Sequence, residues 1–546
     1  MNRKLNLVKV VTYIFVLLLP YEVFGLPMRY AEYAMPESLN PLNIQDAISL
    51  RLSSLLYNSL VGFDINMNPS ADLLDTLTPQ RIDSRRYNFT LRKNVVWHDN
   101  IPLTAEDVEF TFRMITNPQT ETNLKWLNGL FSDVQAIGSH TIQFTLKTEI
   151  PEELFLGRMF FNIIPKHIFE PTTEFISDEE AFGKTKVIGT GPYYFYSRGT
   201  DKKIRLKWNE SYFKGFRKLN KNLGDERIDE IIMMHVDDPL AAKDMLINGG
   251  IYLLPEVRPS EWEEIEKSAQ QTGCKLIKHS SRSFAFFAYN CNHKFLKDKL
   301  VRQALTYAID IEAMIKNVYG EKVPIDQIMY SPHPREESNP DIEPRKYNVE
   351  QAKKLLAKAG FIYDEKDKVL KKNGEPFIVS LKAYVTNEKA FSRICDMYQT
   401  RLSDIGVKIM IGNEERVYYM EMKKWINEVV RDKNFDIAFG RWNFHPEAEI
   451  VEEIFSPSEM RKGGNNFVSY RNSDLEKLII ENETLSDPEA RLKNKHEMDR
   501  IIYDDCPYTF LFPLPAYAGV RTNELKGVDI HPYHFFTYIT NWYIRE

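Results

Sequence analysis

Hydrophobic positions recur along this chain in two rhythms, and the clearest change of rhythm lies within residues 87–112. Tyr87, Phe89 and Leu91 alternate with polar neighbours, the period of a half-buried strand. Val95, Val96 and Trp97 follow as a short apolar run. His98-Asp99-Asn100 is turn chemistry, since Asp and Asn tolerate left-handed backbone. Thr104 then stands at a helix N-cap position, with Asp107 three residues on in capping-box spacing and Glu106 in the first turn. Val108 and Phe112 are one helical turn apart and face inward. The same alternation of strand and helix runs on through the chain. Residues 28–33 read as a strand and 47–60 as a helix with Leu52, Leu55, Leu56 and Leu60 on one face. Strands are expected at 142–146, 228–233, 378–384, 407–411 and 435–439, and helices at 241–250, 347–360 and 390–405. Within 300–315, Val301, Leu305, Ala308 and Ile309 form the apolar face and Arg302 and Asp310 the polar one. Asp310 is expected to cap the helix that follows. Residues 509–512 read as a late strand. Helices and strands alternate throughout, so the class is α/β.

Composition adds bounds. The 546 residues, 43% hydrophobic and 27% charged, are ordinary for globular protein and enough for two or more domains. A net charge of -6 spread over 71 basic and 77 acidic residues gives no reason to expect nucleic acid as a partner. Arg3, Lys4 and Lys9, the apolar run 10–20, and the small residues Val23 and Gly25 fit a secretory signal peptide over 1–25. The apolar run is short of the roughly 20 residues that a membrane-spanning helix needs. No Cys follows Gly25 to carry a lipid, so the expectation is a free periplasmic protein and not a lipoprotein. The four cysteines, Cys274, Cys291, Cys395 and Cys506, show no C-x-x-C spacing. Cys274 and Cys291 bracket the apolar runs 275–277 and 284–289. A hairpin about Ser281 would bring their sulfurs together, so a disulfide and buried free thiols are both open.

No catalytic constellation holds. H-E-x-x-H and G-x-S-x-G are both absent, and His98, His167 and His445 stand without metal-spaced partners. Gly183-Lys184-Thr185 offers the end of a phosphate loop, but Asp178 occupies the position of the required first glycine. Glu261, Glu263, Glu264 and Glu266 read as a solvated helix face. The expectation is a protein that is not an enzyme, with no metal and no cofactor.

The residues themselves carry a resemblance. Trp97, Asp99, Pro102 to Ala105, Asp107, Val108, Phe110 and Thr111 make the run W-x-D-x-x-P-L-T-A-x-D-V-x-F-T. This resembles the signature of the family 5 extracellular solute-binding proteins, the oligopeptide and dipeptide receptors of bacterial ABC importers. Asn100 stands where the family usually has Gly, a mild departure because Asn is the next best residue for that backbone. Further ordered matches are S-L-N-P at Ser38 to Pro41, I-I-P-K-H at Ile163 to His167, G-T-G-P-Y at Gly189 to Tyr193, and Trp208, Asn209, Tyr212 and Phe213. The stretches 300–315 and 347–360 match as well, as do Asn465, Asn466, Tyr470 and Asn472.

The resemblance implies a two-lobed periplasmic binding protein fold with a ligand cleft between the lobes. Lobe I would be 26–66, 188–280 and 511–546, with the late strand at 509–512 returning to it, the extra subdomain 67–187, and lobe II 281–510. It implies a monomer that captures a small solute, foremost a peptide, and delivers it to an ABC transporter membrane permease without making or breaking a bond. In relatives a cleft Asp, a few residues after a Gly-Trp pair in lobe II, takes the peptide's α-ammonium. Here the stretch is Gly440-Arg441-Trp442-Asn443-Phe444-His445-Pro446-Glu447, shorter and without that Asp. The implied ligand-binding residues are Trp442, Arg441 and Asn443 from lobe II and Gln45, Asp46 and Ala47 from lobe I. Glu447, Glu449 or Asp46 would replace the missing acid, and Trp126 reads as surface or subdomain packing. A ligand without a free amine, such as an oligosaccharide, an opine-like compound or a metal chelate, is the alternative. A secreted protein that senses or holds peptides without a transporter is another.

Overall fold

A computed structural model describes residues 27–44, 46–120, 122, 124–170, 187–279, 283–384, 389–443 and 449–545. The expected signal peptide 1–25, Gln45 and Glu447 therefore lie outside the described residues. The fold is mixed α/β, organised on three sheets of four or more strands.

The first sheet has seven strands in the order Cys274–His279, Ala516–Arg521, Leu253–Leu254, Met28–Glu32, Glu230–His235, Lys203–Trp208 and Tyr193–Arg198. Its outer strands alternate as half-buried strands should: Ile204, Leu206 and Trp208 are buried and their neighbours are not. The second sheet has five strands, ordered Tyr418–Met420, Leu381–Tyr384, Ile437–Asn443, Ser283–Tyr289 and Tyr508–Pro513. Ser283–Tyr289 is buried at every position, which is why its sequence is a continuous apolar run rather than an alternation. A third, antiparallel sheet joins Gln80–Arg81, Arg86–Thr90, Thr141–Leu146 and Phe131–Gly138 and is covered by helix Ala105–Thr116.

The 87–112 stretch folds as its pattern predicts. Asn100 takes the left-handed backbone at φ 67°, a conformation that Gly and Asn adopt most readily. The Thr104 N–H donates to the Asp107 carboxylate at 2.8 Å, and Val108 and Phe112 are buried. His98 does more than turn the chain. Gly189 N–H donates to its Nδ1 at 3.1 Å, so Nε2 carries the proton and donates to the Gly191 carbonyl at 3.1 Å. Burial lowers its pKa to about 4, and the ring is neutral. His98 thereby fixes the G-T-G-P loop, whose Gly191 N–H donates to the Leu56 carbonyl at 3.0 Å. The loop occupies the end of helix Ala47–Leu56, which therefore stops at Leu56 and not at 60.

Four expectations are corrected. Residues 509–512 do not return to the first lobe: Tyr508–Pro513 pairs with Ser283–Tyr289 in the five-stranded sheet, and Ala516–Arg521 makes the return. Cys274–His279 and Ser283–Tyr289 do not form a hairpin but enter different sheets, and all four cysteines are free thiols. Arg302 is buried, not solvated. Its guanidinium donates to the carbonyls of Leu296, Lys297, Asp505 and Cys506, two of them at the end of helix Pro488–Asp505, where orphan carbonyls and the helix dipole favour a cation. Glu261 is buried as well, accepting from the Arg258 N–H at 3.1 Å. Asp310 does cap its helix, accepting from Ala313 N–H at 3.0 Å.

A Cβ on Gly189 would overlap the Leu56 carbonyl, and one on Gly191 the Leu55 carbonyl. Gly189→Ala and Gly191→Ala should each cost about 2–4 kcal/mol or prevent folding. Gly129→Ala, where nothing lies within 4 Å of the new methyl, should be neutral or slightly stabilising. Thermal melts of the three variants check this, and equal melting temperatures would refute the close-approach reading.

Candidate functional site

The two larger sheets are joined where the chain passes between them. His279 faces Ala516 in the seven-stranded sheet, and Phe284 faces Pro513 in the five-stranded one. Between these pairs the Leu514 N–H donates to the Ser283 carbonyl at 2.8 Å. A cavity of about 570 Å³ opens at this crossing, within the usual size of small-ligand sites. Its floor is the crossing itself: His279, Ser283, Leu514, Pro515, Ala516 and Tyr517. One wall is the start of helix Ala47–Leu56 with the 255–259 and 531–535 segments; the other carries Arg441 and Asn443.

Of the expected ligand-binding residues, the structure brings Asp46, Ala47, Arg441 and Asn443 together on this cavity. Trp442 is placed elsewhere. Successive residues of a strand point to opposite faces, so with Arg441 and Asn443 toward the cavity Trp442 turns away. It stacks on Phe286 at 5.9 Å between ring centres and packs on Phe467. Asp46 borders the cavity, but its carboxylate is committed to the helix N-terminus. It accepts from the N–H groups of Ile48 at 2.9 Å, Ser49 at 2.8 Å and Glu37 at 3.2 Å, and from the Ser49 hydroxyl. Glu449 lies outside the cavity lining, and Trp126 is exposed on the surface as expected.

Three features escaped sequence reasoning. Arg51, one turn into the helix, lines the cavity and makes a bidentate pair with buried Glu32 at 2.7 and 2.6 Å, its guanidinium lying over the Phe535 ring. Phe160, Tyr533 and His534 form an aromatic wall, with Tyr533 and His534 stacked at 5.1 Å. Glu256 lines the cavity, is exposed, and makes no hydrogen bond or ion pair among the described residues. A signal for it existed. Leu253-Leu254-Pro255-Glu256 puts a carboxylate just past a short buried strand parallel to Met28–Glu32, and ligands of open α/β sheets bind outside carboxyl ends of strands. Among the described residues no group of three or more His, Cys, Asp and Glu could hold a metal ion.

Glu449 belongs to a largely buried charge cluster outside the cavity lining. It accepts from His333 Nε2 at 3.3 Å, Lys495 Nζ at 3.3 Å and the Asn482 amide at 3.2 Å. His333 Nδ1 donates to Asp499 at 2.7 Å. Burial alone would lower the His333 pKa, but hydrogen bonds to Asp499 and Glu449 and their charges outweigh it and raise the value to about 9. Burial likewise would raise Glu449, but His333 and Lys495 hold it down at about 2. The cluster pins the chain at Glu449, where it enters helix Ile450–Phe455 after the cleft strand.

Comparisons with known proteins agree with this architecture. The model for bacterial extracellular solute-binding proteins, family 5 middle, matches residues 69–453. The chain is 26% identical to the oligopeptide-binding protein AppA of Bacillus subtilis, over 94% of this chain and 90% of that protein. The structure of that protein in complex with a nonapeptide superimposes with a TM-score of 0.79, covering 96% of this chain and 99% of the other. Identity is 25% to the dipeptide-binding protein of Escherichia coli, over 93% of each chain. It is also 25% to heme-binding protein A of Haemophilus influenzae, over 93% of this chain and 90% of that one.

The His333 cluster sets a pH dependence with a definite sign. The folded pKa near 9 lies above the roughly 6.5 of an unfolded histidine, so the folded state binds the extra proton. The stabilisation is complete below about pH 6.5 and is lost as pH rises through about 9, on the order of 3 kcal/mol in all. Urea melts should show wild-type protein losing about that much of its advantage over His333→Gln between pH 6 and pH 10. Parallel pH curves would exclude a charged His333.

Proposed function

The chain belongs to family 5 of the bacterial extracellular solute-binding proteins, and from that premise we propose that it captures peptides between its two larger sheets and hands them to an ABC importer's membrane permease. The family binds and does not catalyse, so the protein's work is capture, enclosure and release. The observation that carries the peptide reading is the mixture of groups on the cavity. A carboxylate, a guanidinium and an amide (Glu256, Arg441 and Asn443) share it with an aromatic wall, as a zwitterion with varied side chains requires. The relatives named for oligopeptides and dipeptides support it.

In this reading the lobes are built on the seven- and five-stranded sheets, with 67–187 as an extra subdomain on the first. Lobe II then ends near 513 rather than 510, because Tyr508–Pro513 pairs within the five-stranded sheet. The chain acts as a periplasmic monomer after loss of residues 1–25. Closure would occur about the crossing, where Leu514 and Pro515 stand between the strands Tyr508–Pro513 and Ala516–Arg521 of the two sheets. A micromolar receptor gains about 8 kcal/mol on binding, ample to hold a closed state lying a few kcal/mol above the open one.

One observation favours a second reading, a metal chelate or tetrapyrrole as the solute. His279 and His534 line the cavity, and a relative of near-full length is named for haem.

Native mass spectrometry of the mature protein, purified without refolding, separates the two. Released masses that sequence as short peptides are the expected result, and a discrete metal-bearing or tetrapyrrole mass would move the assignment to the second reading. If the protein emerges empty, peptide pools are screened by thermal shift. A bound peptide at about 100 times its dissociation constant should add about 2.7 kcal/mol, and no shift with any pool would overturn the peptide reading.

A further inference from the structure

Resting on the peptide reading above, we propose that Glu256 takes the peptide's α-ammonium, so that the peptide lies with its N-terminus against the seven-stranded sheet and its carboxylate toward Arg441. This reverses the placement that the family resemblance implies for the ammonium, on the opposite lobe.

The argument begins with an inventory of carboxylates. The described lining of the cavity contains two, Asp46 and Glu256. Both oxygens of Asp46 already accept hydrogen bonds, from backbone N–H groups and from Ser49. An ammonium bound there would have to share an oxygen that the helix cap is using. Glu32 lies behind the wall and is taken up in its bidentate pair with Arg51. Glu449, the other acid suggested by its place in the sequence, is buried in the His333 cluster. Glu256 alone combines a place on the cavity, exposure, and no hydrogen bond or ion pair among the described residues.

Its backbone is also held still. Pro255 and Pro259 bracket the loop, and the buried Val257 anchors it. The Val257 N–H donates to the Tyr517 carbonyl at 2.8 Å, and the Val257 carbonyl accepts from the Trp262 indole at 2.9 Å. Glu261 holds the Arg258 N–H at 3.1 Å. With its neighbour Val257 turned into the core, Glu256 is presented outward on a stiff support, the arrangement that keeps the entropy cost of binding low. Tyr517 belongs to the crossing, so the backbone that carries this carboxylate is tied to the cavity floor. The wall contributed by the five-stranded sheet carries Arg441, Asn443 and Ser283, with no acid among the described lining residues; the opposite wall carries both Asp46 and Glu256, along with Arg51 and Arg258. Among the described lining residues only the seven-stranded side offers an ammonium a carboxylate.

The test uses randomised tripeptide to pentapeptide pools with free termini, N-acetylated or C-amidated, bound to the mature wild-type protein and to Glu256→Gln, Glu256→Asp, Glu447→Gln and Arg441→Gln. Retained peptides are read by native mass spectrometry and affinities by calorimetry. A charge-assisted hydrogen bond of this kind should make N-acetylation cost wild type roughly ten- to hundredfold. In Glu256→Gln the free peptides should weaken by a similar factor, and acetylation should then cost little more. Glu256→Asp, with the same charge on a shorter arm, should keep part of the acetylation penalty. C-amidation should still weaken Glu256→Gln but lose its effect in Arg441→Gln. The proposal is overturned if acetylation costs Glu256→Gln as much as wild type, and more so if Glu447→Gln abolishes that cost. If wild type retains no peptide from any pool, the peptide reading itself fails and the proposal falls with it, an outcome distinct from a misplaced ammonium.

Discussion

The cavity exists because the chain passes between its two larger sheets twice in the same place. Cys274–His279 leads into Ser283–Tyr289, and Tyr508–Pro513 leads back into Ala516–Arg521, so that two antiparallel strands cross side by side. The ladder is pinned on both sides of the gap, at His279 with Ala516 and at Phe284 with Pro513, and Leu514 bonds Ser283 between them. A sheet ladder resists bending where its hydrogen bonds are complete and yields where they are few. Pro515 lacks an N–H and can add no donor there. The crossing is also the floor of the cavity. Any rotation of one sheet against the other changes the cavity's shape directly, without a relay through the cores.

The wall opposite Arg441 depends on a more distant lock. Helix Ala47–Leu56 points its N-terminus at the cavity, and its C-terminus is gripped by the 189–191 loop. Gly189 and Gly191 permit an approach that no side chain would, and neutral His98 holds the loop by three hydrogen bonds, one of them from its own backbone to the Gly189 carbonyl at 2.9 Å. The turn at 97–100 therefore acts on the cavity wall through the far end of a helix. Arg51 and Glu32 add directionality at the near end. Burying such a pair is a poor source of net stability, since desolvation offsets much of the attraction. Its worth lies in orientation, because a bidentate guanidinium accepts one geometry and holds the helix's first turn against strand Met28–Glu32.

Local structure was legible in the residues where local chemistry decides it. The Thr104 and Asp310 caps, the left-handed Asn100 and the buried faces of 105–116 all follow from spacing of a few residues. Pairing was not legible, for a physical reason. The run 508–513 is apolar enough for either sheet, and only its register with Ser283–Tyr289 decides which one receives it. Arg302 reads as solvated by helical spacing because the carbonyls that bury it belong to residues some two hundred positions away. The site shows the same division. Alternation in 437–443 places Arg441 and Asn443 on one face and Trp442 on the other, but which face meets the cavity depends on the neighbouring sheet. Trp442 accordingly packs against the core, and Glu256 is marked in the sequence only by its place just past a short strand.

A receptor that opens and closes faces a constraint that a rigid core does not. Polar groups in its core must be satisfied within the protein, whereas those meant for a ligand must remain tolerable in water when the cleft is empty. The charges around this cavity divide on that line. Asp46, Arg51 with Glu32, and Glu449 with His333 and Lys495 are committed to internal partners, so a ligand could recruit them only by displacing bonds that hold the walls. Glu256 and Asn443 are exposed and solvated when no ligand is present. Enclosure strips that water away, and the loss is recovered only by a ligand that returns a donor to the carboxylate and partners to the amide. On the proposed placement of the ammonium, selectivity would arise less from the attraction of the cavity than from the cost of closing it over the wrong solute: an anion set against Glu256 would leave a carboxylate both desolvated and repelled.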